Sequence, residues 1–414
     1  MKLTSRSMYN FLLLPLFFPF VGFFPGADTQ PIFLILALVL FVFFSRKIKF
    51  NIFFIIIFVI SALLIFMRFY IESSQLDFKY VFTYLGALVT FFLIYVLVEN
   101  GYLQPTFKFM LFVLFSYMIV GIIQIFIPDF MASIVSRSVE HALSYSNTGR
   151  GVRSLTGEPT ALGKIFTSIN IIVVFLLYYS DLKDKHRTAL LVSASIFFVS
   201  AILSRSAYAL IIHILLIILL MIIVNKKLFF ILSVFLFFIM APLLSYLYMY
   251  SEVRAVNIII QLFNQPEALL QQGAMRRVLN IPISFNNLQY FGYFGAGNSQ
   301  GFFNATLSTV IGPLNYQAFN RNLGGIVEFI LKFGVFSIPI ISLYFYMLFK
   351  ILVMKVCIDG KAFRIGIYFA CSTFVLTFQD GSPVQPLSWF LLVYFYVYSN
   401  GRSFTSYKIN RVPM

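Results

Sequence analysis

The sequence predicts an all-α fold: a polytopic integral membrane bundle of about twelve spans, built as one transmembrane unit over residues 1–414. Three observations predict it. Of 414 residues, 60% are hydrophobic and 11% are charged, whereas a soluble domain carries roughly 25% charged residues. The apolar residues fall in runs of about 20, the length that crosses a bilayer core. Lys and Arg gather in alternate connections between those runs, which is the pattern that positive-inside insertion leaves. So few charges would not coat a water-soluble surface of this size, and 54 Phe residues suit helices that face lipid.

Taken in order, candidate spans lie near 8–24, 31–45, 51–71, 78–98, 107–128, 161–179, 188–204, 207–224, 228–250, 324–349, 364–379 and 386–400. The first follows a short basic start and has the look of a signal peptide. No small-x-small site follows it and a second apolar run comes at once, so it is read as a span. The second, eleventh and twelfth are short, and interfacial Tyr, Lys and Arg extend them. With the N-terminus in the cytoplasm, the inner connections hold Lys2 and Arg6; Arg46, Lys47 and Lys49; Lys108; Lys183, Lys185 and Arg187; Lys226 and Lys227; Lys350, Lys355, Lys361 and Arg364; and Arg402, Lys408 and Arg411. The short outer connections hold little beyond Arg68, Lys79 and Arg205. Both termini are therefore expected in the cytoplasm. The net charge of +16 reports this topology first. Nucleic-acid binding would need a solvated basic domain, and the chain offers none.

Two outer loops are long, 129–160 and 251–323. Long loops escape the positive-inside bias, so their charges need a separate reason. The second carries Arg254, Arg276, Arg277 and Arg321 against Glu252 and Glu267, a helix-like stretch over 266–280 and the Gly-rich YFGYFGAGNSQG at 290–301. A loop of this length without a function is unusual. The pattern points to an extracytoplasmic site formed by two loops and the helix ends beneath them.

Residues 152–163, VRSLTGEPTALG, interrupt the apolar sequence with charge and turn formers. Pro159 suits the first turn of a helix, where its missing N–H is not needed. Glu158 then sits at or near the N-cap of the sixth span. The open N–H groups of that turn, with Arg153 and Arg150 just before them, make a corner that suits a phosphate or pyrophosphate. Equally, Glu158 caps the helix and Arg153 pairs with it; both readings stand. Arg205, in ILSRSAYAL, splits one long apolar stretch: it lines a polar pocket at an outer hairpin or snorkels from a helix end. Adjacent Arg276 and Arg277 diverge by about 100° on a helix, so one faces a site and the other meets solvent or headgroups. Glu328 and Lys332 lie four apart on one helix face and read first as a structural ion pair. Arg321, just before that helix, is within reach of the pair or of a ligand. Asp380 stands among Gly and Pro and reads as part of a turn.

His141 is in the first long loop, His186 lies on the inner side, and His213 is inside a span, where a lone His is usually a satisfied core residue. Cys357 and Cys371 make no disulfide framework. There is no metal-ligand spacing, no HExxH, no P-loop and no GxSxG elbow. Metal-, ATP- and serine-based chemistry are disfavoured, and no cofactor is expected.

These pieces resemble the O-antigen polymerases (Wzy-type), within the wider O-antigen polymerase and ligase group. Four stretches carry the resemblance: RSLTGEPTALG at 153–163, LSRSAYAL at 203–210, RRVLNIPISFNNLQYFGYFGAG at 276–297 and NLGGIVEFILKFGVFSIPIISL at 322–343. The ligase branch typically has a His in the large loop, and residues 251–323 contain none, which favours polymerase. An Arg-x10-Gly repeat described for some polymerases is not seen around Arg153 or Arg277.

The resemblance implies a GT-C-like membrane glycosyltransferase of lipopolysaccharide biosynthesis in a bacterial inner membrane. A glycan held on undecaprenyl pyrophosphate passes en bloc to a new lipid-linked repeat unit, on the periplasmic face and without metal. A chain-length regulator is the protein partner the family implies. On this reading Glu158 and Arg205 are catalytic, and Arg150, Arg153, Arg276, Arg277 and Arg321 bind the substrate. His141 is a second choice of base. Two rivals stand beside it: a ligase joining finished glycan to the lipid A core, and a transporter or flippase for a lipid-linked sugar.

Overall fold

A computed structural model of the chain describes residues 11–22, 31–44, 48–71, 78–131, 134–135, 151–178, 184–224, 293–295, 325–353, 362–378 and 385–399. Among the described residues all regular structure is helical. The elements are α1 (Leu13–Phe17), α2 (Ile32–Phe44), α3 (Ile52–Ile71), α4 (Phe78–Glu99), α5 (Phe107–Phe126), α6 (Pro159–Tyr178), α7 (Lys185–Ser204), α8 (Ala207–Val224), α9 (Gly325–Phe333), a 3-10 turn (Gly334–Ser337), α10 (Ile338–Leu352), α11 (Ala362–Phe378) and α12 (Pro386–Ser399). Six stretches are long and apolar enough to cross a membrane: 52–70, 81–99, 107–126, 159–178, 185–204 and 334–352. The chain is a membrane-embedded helical protein.

Burial divides the helices by role. Over an 18-residue stretch of α6, 83% of the residues are buried, against 28–39% over the like stretches of α3, α5, α7 and residues 334–352. A helix buried all round belongs at the centre of a bundle. The outer helices expose large apolar side chains such as Phe43, Ile52, Phe82, Phe126 and Phe198, which lipid solvates and water does not. At the centre, α6 packs lengthwise on α7 and also meets α8; α12 packs on α4, and α10 on α11, α12 and α3. Phe175 of α6 touches Phe369 of α11 and Tyr394 and Phe395 of α12, joining the two halves of the core.

Two expected spans are interrupted. The run predicted near 8–24 is helical, among its described residues, only over Leu13–Phe17. Phe18 leaves the helix at φ −117 and ψ 56, because Pro19 disfavours the helical conformation in the residue before it. Tyr117 Oη donates 2.7 Å to the freed Phe17 carbonyl. The run predicted at 324–349 breaks at Gly334, whose φ is +50, and resumes as α10 at Ile338, with Pro339 in the first turn, where its missing N–H is not needed. The predicted span 228–250 lies outside the described residues.

The helix ends define two faces. At one, the Lys49 N–H donates to Asn100 Oδ1 at 2.9 Å, and Asn100 Nδ2 donates to the Lys49 carbonyl at 2.9 Å. In sequence, the helices that end here lead into the connections rich in Lys and Arg. At the other, the end of α5 and the start of α6 meet the turn between α7 and α8, the end of α3 meets residues 293–295 and the break after α9, and the start of α9 meets the end of α11.

Candidate functional site

At this second end the segments bearing Arg153 and Arg205 are one unit. α7 stops at Ser204, and Arg205 takes the left-handed conformation at φ 43 as its C-cap. The Ser204 hydroxyl donates 2.7 Å back to the Ser200 carbonyl. Ser206 starts α8, its Oγ accepting from the Ala209 N–H at 3.5 Å, as an N-cap Ser does. The last carbonyls of α7 have no partner within their own helix. One is met from outside: the Val152 N–H donates to the Leu203 carbonyl at 2.8 Å. Gly151 permits that approach, since a Cβ there would strike the Leu203 and Ser204 backbone. Gly163 lies against Ala209 in the same way, so α6 and α8 touch through small residues.

The other side of segment 151–158 is pinned to the end of α5. Ser154, in the left-handed region at φ 50, donates its N–H to Gln124 Oε1 at 2.7 Å and its hydroxyl to the Tyr117 carbonyl at 2.7 Å. Gln124 Nε2 donates to the Ser154 and Phe130 carbonyls. The Thr156 N–H closes a turn on the Arg153 carbonyl at 3.0 Å. α6 begins at Pro159, and the Glu158 carbonyl accepts from the Leu162 N–H at 3.2 Å. Glu158 is thus at the N-cap, as the position of Pro159 predicts.

The side chains are placed unequally. Arg205 is exposed, Glu158 is partly exposed and Arg153 is 2% exposed. Arg205 stands on a two-residue turn with its backbone fixed by Ser204 and Ser206, open to whatever approaches this end. Arg150, Arg276, Arg277, Arg321 and His141 lie outside the described residues.

A second polar group was only partly legible. Arg68, near the end of α3, donates from Nε to the Phe294 carbonyl and from Nη2 to the Gly295 carbonyl, each at 2.8 Å. The Val335 N–H donates to the Tyr293 carbonyl at 2.9 Å. Gly295 (φ +83) and Gly334 (φ +50) face one another, and a Cβ on either would strike the other strand of backbone. The Tyr-Phe-Gly piece of the large loop is therefore docked into the break of the interrupted span. One turn away, Glu328 pairs with Lys332 at 3.5 Å, as their spacing predicts. The Tyr84 hydroxyl also donates to Glu328 Oε1, and the Lys332 ammonium sits 4.9 Å from the Tyr84 ring centre. Sequence reading named Arg68 only as an outer charge and missed Tyr84 altogether. A basic residue at the end of an apolar run was the available clue to Arg68.

Among the described residues no three His, Cys, Asp or Glu side chains gather where they could hold a metal ion. Compared with models of known protein families and with curated proteins, the chain matches none.

Proposed function

We propose that this protein polymerises lipid-linked oligosaccharide repeat units into O-antigen, as a membrane glycosyltransferase of about twelve spans. The basic end and both termini face the cytoplasm of a bacterial cell, and the Arg205 end faces the periplasm. The observation that carries the reading is the backbone union of the Arg153–Glu158 segment with the Arg205 turn at the end opposite the basic connections. It sets an exposed guanidinium and a carboxylate on one frame, where a lipid-borne pyrophosphate would arrive.

In the proposed step the acceptor hydroxyl loses its proton to Glu158 and attacks the anomeric carbon of the donor chain. The bond from that carbon to the pyrophosphate oxygen breaks, and the oxygen leaves with the electron pair as undecaprenyl pyrophosphate. Arg205 meets the developing charge with a bidentate fork. Arg153 fixes the segment from within. One of Arg276 and Arg277, with Arg150 and Arg321, completes the proposed anion site, and a chain-length regulator is the proposed partner.

Polymer formation in cells tests this. Arg205→Ala and Glu158→Gln at normal abundance are expected to yield single repeat units on the lipid core in place of long chains. Full-length polymer from either variant removes that residue from the mechanism. Loss of all core attachment, single units included, indicates the ligase alternative. One observation favours a transporter as a second reading: two interrupted spans, at Phe18 and Gly334, are a feature of transport folds. Movement of a lipid-linked sugar across liposomes without chain extension would decide for it.

A further inference from the structure

A polar strip runs inward from the Arg205 turn between α6, α7 and α8. On α6, Gly163, Thr167 and Asn170 share a face; Gly163 meets Ala209 and Thr167 meets His213, so that face is turned to α8. On α7, Ser204 Oγ lies 3.3 Å from where a Gly163 Cβ would sit, and the Phe197 ring centre is 6.0 Å from that of His213. Ser200 and Ser193 occupy the same strip of α7, about one turn to either side of Phe197. Thr167, Asn170, Ser193, Ser200 and His213 are each at most 1% exposed. Thr167 and Asn170 lie about 12 and 16 Å along α6 from its first residue, so the strip reaches the middle of the span.

The hydrogen bonds around His213 fix its tautomer. Nδ1 is 3.0 Å from the Ala209 carbonyl and 3.1 Å from Thr167 Oγ1. A carbonyl only accepts. The Thr167 hydroxyl proton is already given to the Gly163 carbonyl at 2.8 Å, so its oxygen accepts as well. Nδ1 therefore carries the hydrogen, and Nε2 of the neutral ring carries a lone pair. Among the described residues, Nε2 has no hydrogen-bond partner. The same holds for both amide atoms of Asn170 and the hydroxyls of Ser193 and Ser200. Buried polar atoms are normally satisfied, so a group of orphans on one strip requires an explanation.

We propose that this strip binds a small cluster of internal water. One molecule donates to His213 Nε2 and links it to the Asn170 amide and the Ser200 hydroxyl; Ser193 holds the inner end. Water supplies both donors and acceptors to groups that do not reach one another, and a few such bonds are what an internal water requires. An apolar occupant satisfies none of them. A proton on Nε2 would leave a cation in mid-membrane, and α6, α7, α8 and α11 carry no Asp or Glu to neutralise it. The hydrated strip sets the register of α6 against α7 and α8, and so of the two segments that carry Arg153 and Arg205. It is independent of the reaction proposed above.

Nitrogen NMR of the full chain in lipid bilayers, labelled at histidine, tests this directly. The sequence holds 3 His, so the His213 signal is assigned by its loss in His213→Gln or, should that variant not accumulate, by elimination with His141→Gln and His186→Gln. The expected result is an Nδ1–H tautomer whose unprotonated Nε2 is hydrogen-bonded and receives magnetisation from water. An Nε2–H tautomer, a doubly protonated ring or a lone pair without water contact overturns the proposal. A thermal double-mutant cycle supplies a second measure. Asn170→Leu and His213→Leu together are expected to lower the melting temperature by less than the sum of the two alone. Strict additivity of positions that share no direct bond contradicts the water bridge.

Discussion

Arg153 and Arg205 show how one residue type serves two ends. Arg205 is exposed on a turn, while Arg153, in the segment bonded to that turn, is 2% exposed. The sequence placed both at an outer surface, because linear spacing reports which turn a residue belongs to and not which way its side chain folds. Arg205→Ala is expected to cut chain transfer by about 10²-fold or more at unchanged protein abundance. Arg205→Lys is expected to recover only part, since an ammonium lacks the bidentate fork. Glu158→Gln keeps a side chain able to accept at the helix start, so it separates the two roles the sequence left open. Roughly 10²–10⁴-fold slower transfer with unchanged melting identifies a base, and a variant that transfers normally identifies a cap.

At the scale of elements, the close approaches between glycine and backbone are the firmest features of the end that carries Arg205. Gly151→Ala drives a methyl into the Leu203 carbonyl and removes room for the Val152 bond. Melting in detergent should show a loss of roughly 1–3 kcal/mol, the range for overpacking. Gly86 in α4 is the control: its Cβ would meet only Leu34 Cδ2 at 3.6 Å, so Gly86→Ala is expected to be neutral or mildly stabilising. Arg68→Ala leaves two carbonyls of the docked 293–295 piece without their donor. It should cost about 1–3 kcal/mol and increase protease cleavage within 251–323. Helix positions were readable from apolar length, and α3 to α8 fall where predicted to within a few residues. The interruptions at Phe18 and Gly334 were not, although Pro19 and Pro339 stood in the sequence. Proline is tolerated inside many membrane helices, so only packing decides whether a helix breaks there. Tyr84 was hidden for a similar reason: its partner Glu328 is distant in sequence, and periodicity carries no information across that distance.

For the whole molecule, membrane embedding and a helical core followed from composition, because lipid removes nearly every alternative to a helix. Sidedness rests on charge. Alkaline phosphatase fusions within 129–160 and 251–323 are expected to be active, and fusions within 100–106, 179–184 and 354–361 inactive; the reverse pattern would invert the assignment. The central claim is that the joined Arg153–Glu158 and Arg205 segments serve an anionic lipid-linked donor. Its most direct test is purified protein in liposomes, supplied with undecaprenyl-pyrophosphate-linked repeat units and scored for chain extension. Extension by the wild-type chain, lost in Arg205→Ala with intact melting, is the predicted result. Equal extension by the two proteins, or none by the wild type under conditions where it is folded, would contradict it.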